Sequence, residues 1–91
     1  MTEHTTRYLL FTSDTCTPCA KAKPVVQQAA EERGLLVQEV NLQKSPELFA
    51  EYDVRGVPAL LGFDLDAEIG RKVGGLDAKA VRDLFDQGEA L

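Results

Sequence analysis

The sequence has no tryptophan, a single histidine and a single methionine, and only two cysteines. With His4 the only histidine, a zinc site built from one chain has Cys16, Cys19, His4 and carboxylates to draw on, where zinc normally takes four well-placed nitrogen or sulfur ligands. A metal site within the chain is therefore not expected. A zinc ion or cluster shared between two chains, which together offer four thiolates, is the form such a site would have to take. Positive charge is also scarce. Ten Lys and Arg stand against fifteen Asp and Glu, a net charge of −5. That balance argues against a nucleic-acid partner, since Lys and Arg contacts to phosphate carry most of such binding.

Long apolar runs are missing too. The amino-terminal stretch "MTEHTTRYLLFTSD" holds only Tyr8 to Phe11 as an unbroken apolar run, too short for a signal-peptide core or a membrane span. The chain is expected in the cytoplasm, without a membrane partner. In that reducing setting a permanent disulfide staple is not the default, and one closing the short Cys16–Cys19 loop removes little unfolded-state entropy.

What is present is a regular alternation of elements. "RYLLFTSDT" has no helical period and suits a strand buried on both faces, at about residues 7 to 12. "PCAKAKPVVQQAAEERG" carries Ala22, Val25, Val26, Ala29 and Ala30 at three- and four-residue spacing, with Gly34 to end the helix. Thr17 is the expected N-cap and Pro18 fits the first helical position, where a missing N–H costs nothing. Pro24 is anomalous, because an interior proline removes a helical hydrogen bond and costs about 3 kcal/mol.

A strand follows at about 35 to 42, then a short helix at about 46 to 53 with Ser45 as cap, Pro46 at its start and Asn41 capping the preceding strand's end. "PALLGF" and "EIGRKV" read as a hairpin at about 59 to 63 and 68 to 73. Asp77 caps a last helix with Ala78, Val81, Leu84 and Phe85 on its apolar stripe. Ninety-one residues support one core. The reading is a single α/β domain over 1–91, ordered βαβαββα, with a four-stranded mixed sheet flanked by helices. Residues 1–6 and 87–91 are expected to be flexible.

The chemistry sits in "TCTPC". Thiol–disulfide exchange needs an exposed thiolate that attacks and a second thiol close enough to resolve the mixed disulfide. A helix beginning between the cysteines sets Cys16 at the loop edge beside unpaired N–H groups and the positive helix end, and turns Cys19 inward in the first turn. Cys16 is then the nucleophile and Cys19 the resolving thiol. Asp14 opposes the helix end, its charge raising the Cys16 pKa by about 0.4 unit. Cys16 is thus expected to be only moderately acidic.

On these residues the chain resembles the thioredoxin superfamily. "FTSDTCTPCAKAKP" is similar to that family's strand, CxPC motif and helix, with Pro24 at the position of the family's helix proline. "YDVRGVPALLGF" resembles the segment bearing the family's cis-proline, and "KVGGL" follows at a similar distance, so the likeness covers about residues 7 to 86. The resemblance implies a thioredoxin-like fold and a cis bond between Val57 and Pro58 lying against the sulfurs. It also implies a substrate strand pairing with the backbone at Val57.

Val57, Pro58, Arg55 and Gly74 are the implied substrate-side residues, with Thr17, Pro18 and Pro24 shaping the site. The implied activity is reduction of protein disulfides through the Cys16–Cys19 pair, with no other cofactor, in a monomer recycled by a thioredoxin reductase or by glutathione. A glutaredoxin-like electron donor, for example to a ribonucleotide reductase, is the narrower alternative. A metal-bridged dimer or a binding module with incidental thiols is the other class. Lys21, Lys23, Arg55, Arg71 and Lys72 are the candidate cations for gripping glutathione carboxylates.

Three departures from the family stand out. The chain lacks the amino-terminal strand and helix of full-length thioredoxin. Thr12 and Thr15 occupy the positions of that family's active-site tryptophans, and Leu10 that of its buried carboxylate. Deprotonation of Cys19 is left to water or to the substrate's leaving thiolate.

Overall fold

The computed structural model describes residues 6–90, so His4 and the expectations for residues 1–5 and 91 lie outside it. The elements are β1 (Thr6–Thr12), α1 (Thr17–Glu32), β2 (Val37–Asn41), α2 (Pro46–Glu51), β3 (Ala59–Asp64), β4 (Ala67–Val73) and α3 (Ala78–Glu89). This is the βαβαββα order read from the sequence. The strands form one mixed sheet in the order β2-β1-β3-β4. β1 runs parallel to β2 and antiparallel to β3, and β3 pairs antiparallel with β4.

The unbroken apolar run of β1 has a simple cause: its two faces are both covered. Tyr8 and Leu10 join Ala22, Val26, Val81 and Phe85 in a core beneath α1 and α3. Leu9 and Phe11 pack on the opposite face with Val40, Phe49 and Leu61. Aromatic pairs anchor both layers edge to face, Tyr8 on Phe85 at 4.7 Å and Phe11 on Phe49 at 4.9 Å, an arrangement worth about 0.5–1.5 kcal/mol beyond area burial. Tyr52 and Phe63 pack against each other at the rim of the second layer. Among the described residues no helix is long and apolar enough to cross a membrane.

Several boundaries differ from the sequence reading. The N-cap of α1 is Cys16, with extended backbone angles, and Thr17 is already helical. Ser45 does cap α2, yet its hydroxyl makes no capping bond. The turn is held instead by the Asn41 side chain, whose Oδ1 accepts from the amides of Gln43 and Lys44. Of the stretch expected to be flexible, 87–91, residues 87–89 are helical and residue 91 lies outside the described residues. Gly88 lies buried against Tyr8 there, and the Thr6 hydroxyl donates to the Glu89 carboxylate at 3.0 Å. Gly34, beyond the end of α1, has φ +65°, the left-handed conformation that favours glycine at a helix C-terminus.

Candidate active site

The site grows from the loop between β1 and α1. Thr12 ends the strand, Ser13 to Thr15 turn the chain, and the Cys16 amide donates to the Ser13 carbonyl at 3.2 Å. The loop is tied to the β2–α2 connection. The Asp14 amide donates to Gln43 Oε1 at 2.9 Å, and Asn41 Nδ2 donates to Asp14 Oδ1 at 2.8 Å. These bonds fix where α1 begins, and with it the position of Cys16.

Cys16 and Cys19 are joined as a disulfide, their Cα atoms 5.2 Å apart. The Cys19 amide donates to Cys16 Sγ at 3.1 Å, so the sulfur itself satisfies one of the unpaired N–H groups at the start of α1. Cys16 is half-buried, whereas Cys19 is 1% exposed and packed inward. Thr17 and Pro18 between them are exposed, and Pro24 is exposed within an otherwise continuous helix.

The peptide bond between Val57 and Pro58 is cis. Pro58 is buried and faces α1 across a groove of about 280 Å³, lined also by Pro18, Ala22, Val25 and Leu76. Gly74, at φ +70°, donates its amide to the Pro58 carbonyl at 2.7 Å, which binds the end of β4 to the proline. A Cβ there would meet nothing within 4 Å, so backbone conformation and not crowding explains the glycine. Val57 lines a second apolar groove, of about 200 Å³, with Leu42, Phe49, Val54, Arg55 and Gly56. Arg55 is strongly exposed and pairs with Asp53 at 3.0 Å.

Where β1 pairs with β2 the sequence reading missed a polar cluster. Thr12, fully buried, donates to Glu39 Oε2 at 2.6 Å, and Lys23 meets the same oxygen at 2.9 Å. The Thr12 hydroxyl, and then Lys23, hold the Glu39 carboxyl below the usual carboxylate range. Only the parallel register, which sets Leu10 beside Glu39 and Thr12 beside Asn41, brings these residues together. Leu10 lies in the apolar core under α1, as its side chain requires. Arg71 is also committed: it forks onto Glu68 at 2.6 and 2.7 Å and reaches the carbonyls of Tyr52 and Asp53. Among the described residues no cluster of His, Cys, Asp and Glu suits a metal ion.

Comparison with known proteins agrees with this geometry. The family model described as Thioredoxin matches residues 2–87. A thioredoxin of Buchnera aphidicola subsp. Baizongia pistaciae is 33% identical over 78 residues, covering 84% of this chain and 72% of that protein. The thioredoxin 1 of Chlorobaculum tepidum is 40% identical over 58 residues, covering 62% of this chain and 57% of its own length. Among solved structures, a variant thioredoxin from Halobacterium salinarum superposes with a TM-score of 0.87 at 31% identity, covering 97% of this chain and 78% of that one.

Proposed function

The chain belongs to the thioredoxin family and is a thiol–disulfide oxidoreductase of protein disulfides, in which, we propose, Cys16 attacks and Cys19 resolves. The observation that carries this assignment is the unequal burial of a bonded pair, Cys16 half-open and Cys19 closed off at 1% exposure. A substrate sulfur can approach the first but not the second.

In the reduced protein the Cys16 thiolate attacks one sulfur of the substrate disulfide. A Cys16–substrate bond forms, the substrate's S–S bond breaks, and the other substrate sulfur leaves as thiolate. Cys19 gives its proton to that thiolate or to water and attacks Cys16. The second substrate thiolate leaves, and the Cys16–Cys19 disulfide forms. The substrate has gained two electrons and, after protonation, two protons. A reductase or a thiol such as glutathione must return two electrons to the pair.

The residues around the pair fit this cycle. The Cys19 amide donating to Cys16 Sγ stabilises negative charge on that sulfur and helps it serve as a leaving group. Val57 and Pro58, between the two apolar grooves, supply an edge along which an extended substrate segment pairs with the main chain, with Gly74 bracing the proline. Thr17 and Pro18 shape the helix start, Pro24 shapes the helix farther along, and Arg55 stands at the rim. One chain holds both sulfurs, so the cycle runs in a monomer, and its setting is the cytoplasm, whose reducing pool keeps such a pair open.

The test is substitution at each sulfur. Cys19→Ser, reduced and offered a protein disulfide, should accumulate a covalent mixed disulfide visible by mass spectrometry, and Cys16→Ser should form none. Trapping through Cys19 instead, or equal turnover in both variants, would remove the assignment.

A further inference from the structure

The groove between α1 and the β4–α3 connection has an apolar floor and two cations at its edge. Lys21 lines it from α1, beside Pro18, Val25, Pro58 and Leu76. Lys72, on β4, stands just outside the lining, its Nζ 3.6 Å from where a Cβ on the lining residue Gly75 would stand. The strand register explains this, since Lys72 pairs with Leu60, a member of the core beneath α1 and α3, and cross-strand neighbours share a face.

Charge accounting leaves four cations outside the ion pairs among the described residues: Arg7, held by Tyr52 and Phe63, Lys44, which lines a different groove with Asp14 and Glu39, and these two lysines. Lys23 is taken by Glu39, Arg33 by Asp86, Arg55 by Asp53, Arg71 by Glu68, Lys79 by Asp83 and Arg82 by Glu32. Among the described residues neither Lys21 nor Lys72 pairs with a carboxylate. The acid that lines the groove, Asp77, is engaged as the cap of α3, its Oδ1 accepting from the Ala80 amide at 2.8 Å. The edge of the groove thus carries two lysines against the one carboxylate of Asp77, a local excess of positive charge on a chain of net charge −5.

We propose that this groove receives an acidic segment of the polypeptide substrate, with a glutamate or aspartate next to the disulfide cysteine placed between Lys21 and Lys72. The inference rests on the disulfide-reductase reading and narrows its substrate class. A polypeptide is the occupant because Val57 and Pro58 lie between this groove and the second one, so an extended chain paired along them spans both. Alternate side chains of a strand then point toward opposite grooves. Two like charges near a partly desolvated edge act mainly on encounter rate, and their effect falls with salt.

The experiment uses the pre-reduced full chain mixed rapidly with three synthetic peptide disulfides, identical except for Glu, Gln or Lys beside each cysteine. At low ionic strength the second-order rate constant should be greatest for the Glu peptide and least for the Lys peptide, differing about fivefold for two cations acting through water. In Lys21→Gln/Lys72→Gln the ratio should fall to near one, as it should for the native chain in high salt. Equal rates for the three peptides, or a ratio retained in the double variant, would overturn the proposal. Glutathione disulfide reduced as fast as the Glu peptide, with the same loss in the double variant, would overturn the polypeptide as occupant. Reduction of none of these disulfides would overturn the reductase reading as well.

Discussion

The amide of Cys19 donates to the sulfur of Cys16 across 3.1 Å, so one atom both caps α1 and forms half of the disulfide. A serine oxygen can fill the capping role but cannot take part in exchange. Cys16→Ser and Cys16→Ala both lose the disulfide, so the difference between them isolates the cap. Cys16→Ser should be the more stable by about 0.5–2 kcal/mol, the usual value of an N-cap hydroxyl over alanine. Urea unfolding of the two variants measures it. Equal midpoints would mean that the cap contributes nothing.

Asp14 lies two residues before that sulfur and is held in place by Asn41 and Gln43. Asp14→Asn removes a negative charge while keeping an oxygen to accept from Asn41 and the amide that donates to Gln43. The Cys16 thiol should then become more acidic, because a negative charge near the sulfur disfavours the thiolate. Thiolate absorbance against pH in the reduced protein reads the change directly. A thiol that becomes less acidic, or does not move, would show that the carboxylate field does not reach the sulfur.

How much of this was visible in the sequence differs residue by residue. Strand, helix and turn order was legible because β1 is buried on both faces and α1 and α3 on one stripe, which leaves distinct periods. The pairing of Cys16 with Cys19 was legible in the CxxC spacing, and the cis bond before Pro58 only through the resemblance to the thioredoxin superfamily. The cap of α1 was not. Propensity favours Thr17 at such a position, and a sulfur acting as acceptor leaves no compositional trace. Ser45 was read correctly as the cap of α2; that its hydroxyl makes no capping bond, while Asn41 supplies the turn's side-chain bonds, was not read. The Thr12–Glu39–Lys23 cluster and the place of Lys72 at the groove depend on strand register, which no single segment encodes.

Gly88 shows why the end of α3 was misjudged. Gly88 makes room for the Tyr8 hydroxyl, against which a Cβ would collide, with Ile69 Cδ1 also at 2.9 Å. Tyr8 cannot retreat, being buried and packed on Phe85. Gly88→Ala gains about 1 kcal/mol of helix propensity but should lose more through overpacking, typically about 1–3 kcal/mol. The expected net effect is a lower urea midpoint. A variant as stable as the native chain would show that the helix end gives way freely.

The Thr12–Glu39 bond should make stability depend on acid. A carboxyl whose pKa is lowered on folding contributes stability above its unfolded value, near 4.5, and loses it as pH falls through the folded value. Glu39 is 38% exposed, so solvent limits the contribution to below about 1 kcal/mol. Thr12→Val keeps the shape and removes the hydroxyl. Its cost in unfolding free energy should be measurable at pH 7 and should shrink toward pH 3. A cost that is unchanged or larger at pH 3 would contradict the sign.

Arg71 acts on the substrate edge from a distance. Its guanidinium forks onto Glu68 and donates to the carbonyls of Tyr52, at 2.8 Å, and Asp53, at 3.1 Å, where α2 ends and the chain turns toward Val57. Asp53 holds φ +53°, an uncommon conformation for a residue with a side chain, so this bend needs support from outside itself. Lysine keeps the charge but cannot make a planar fork or reach two carbonyls while holding a carboxylate. Arg71→Lys should therefore loosen the edge that positions the substrate while leaving the sulfur chemistry intact. The expected signature is KM raised about threefold with kcat nearly unchanged, the pattern of lost uniform binding. A fall in kcat at constant KM would instead place the residue's influence on the disulfide, a role that its bonds to Tyr52 and Asp53 give no reason to expect.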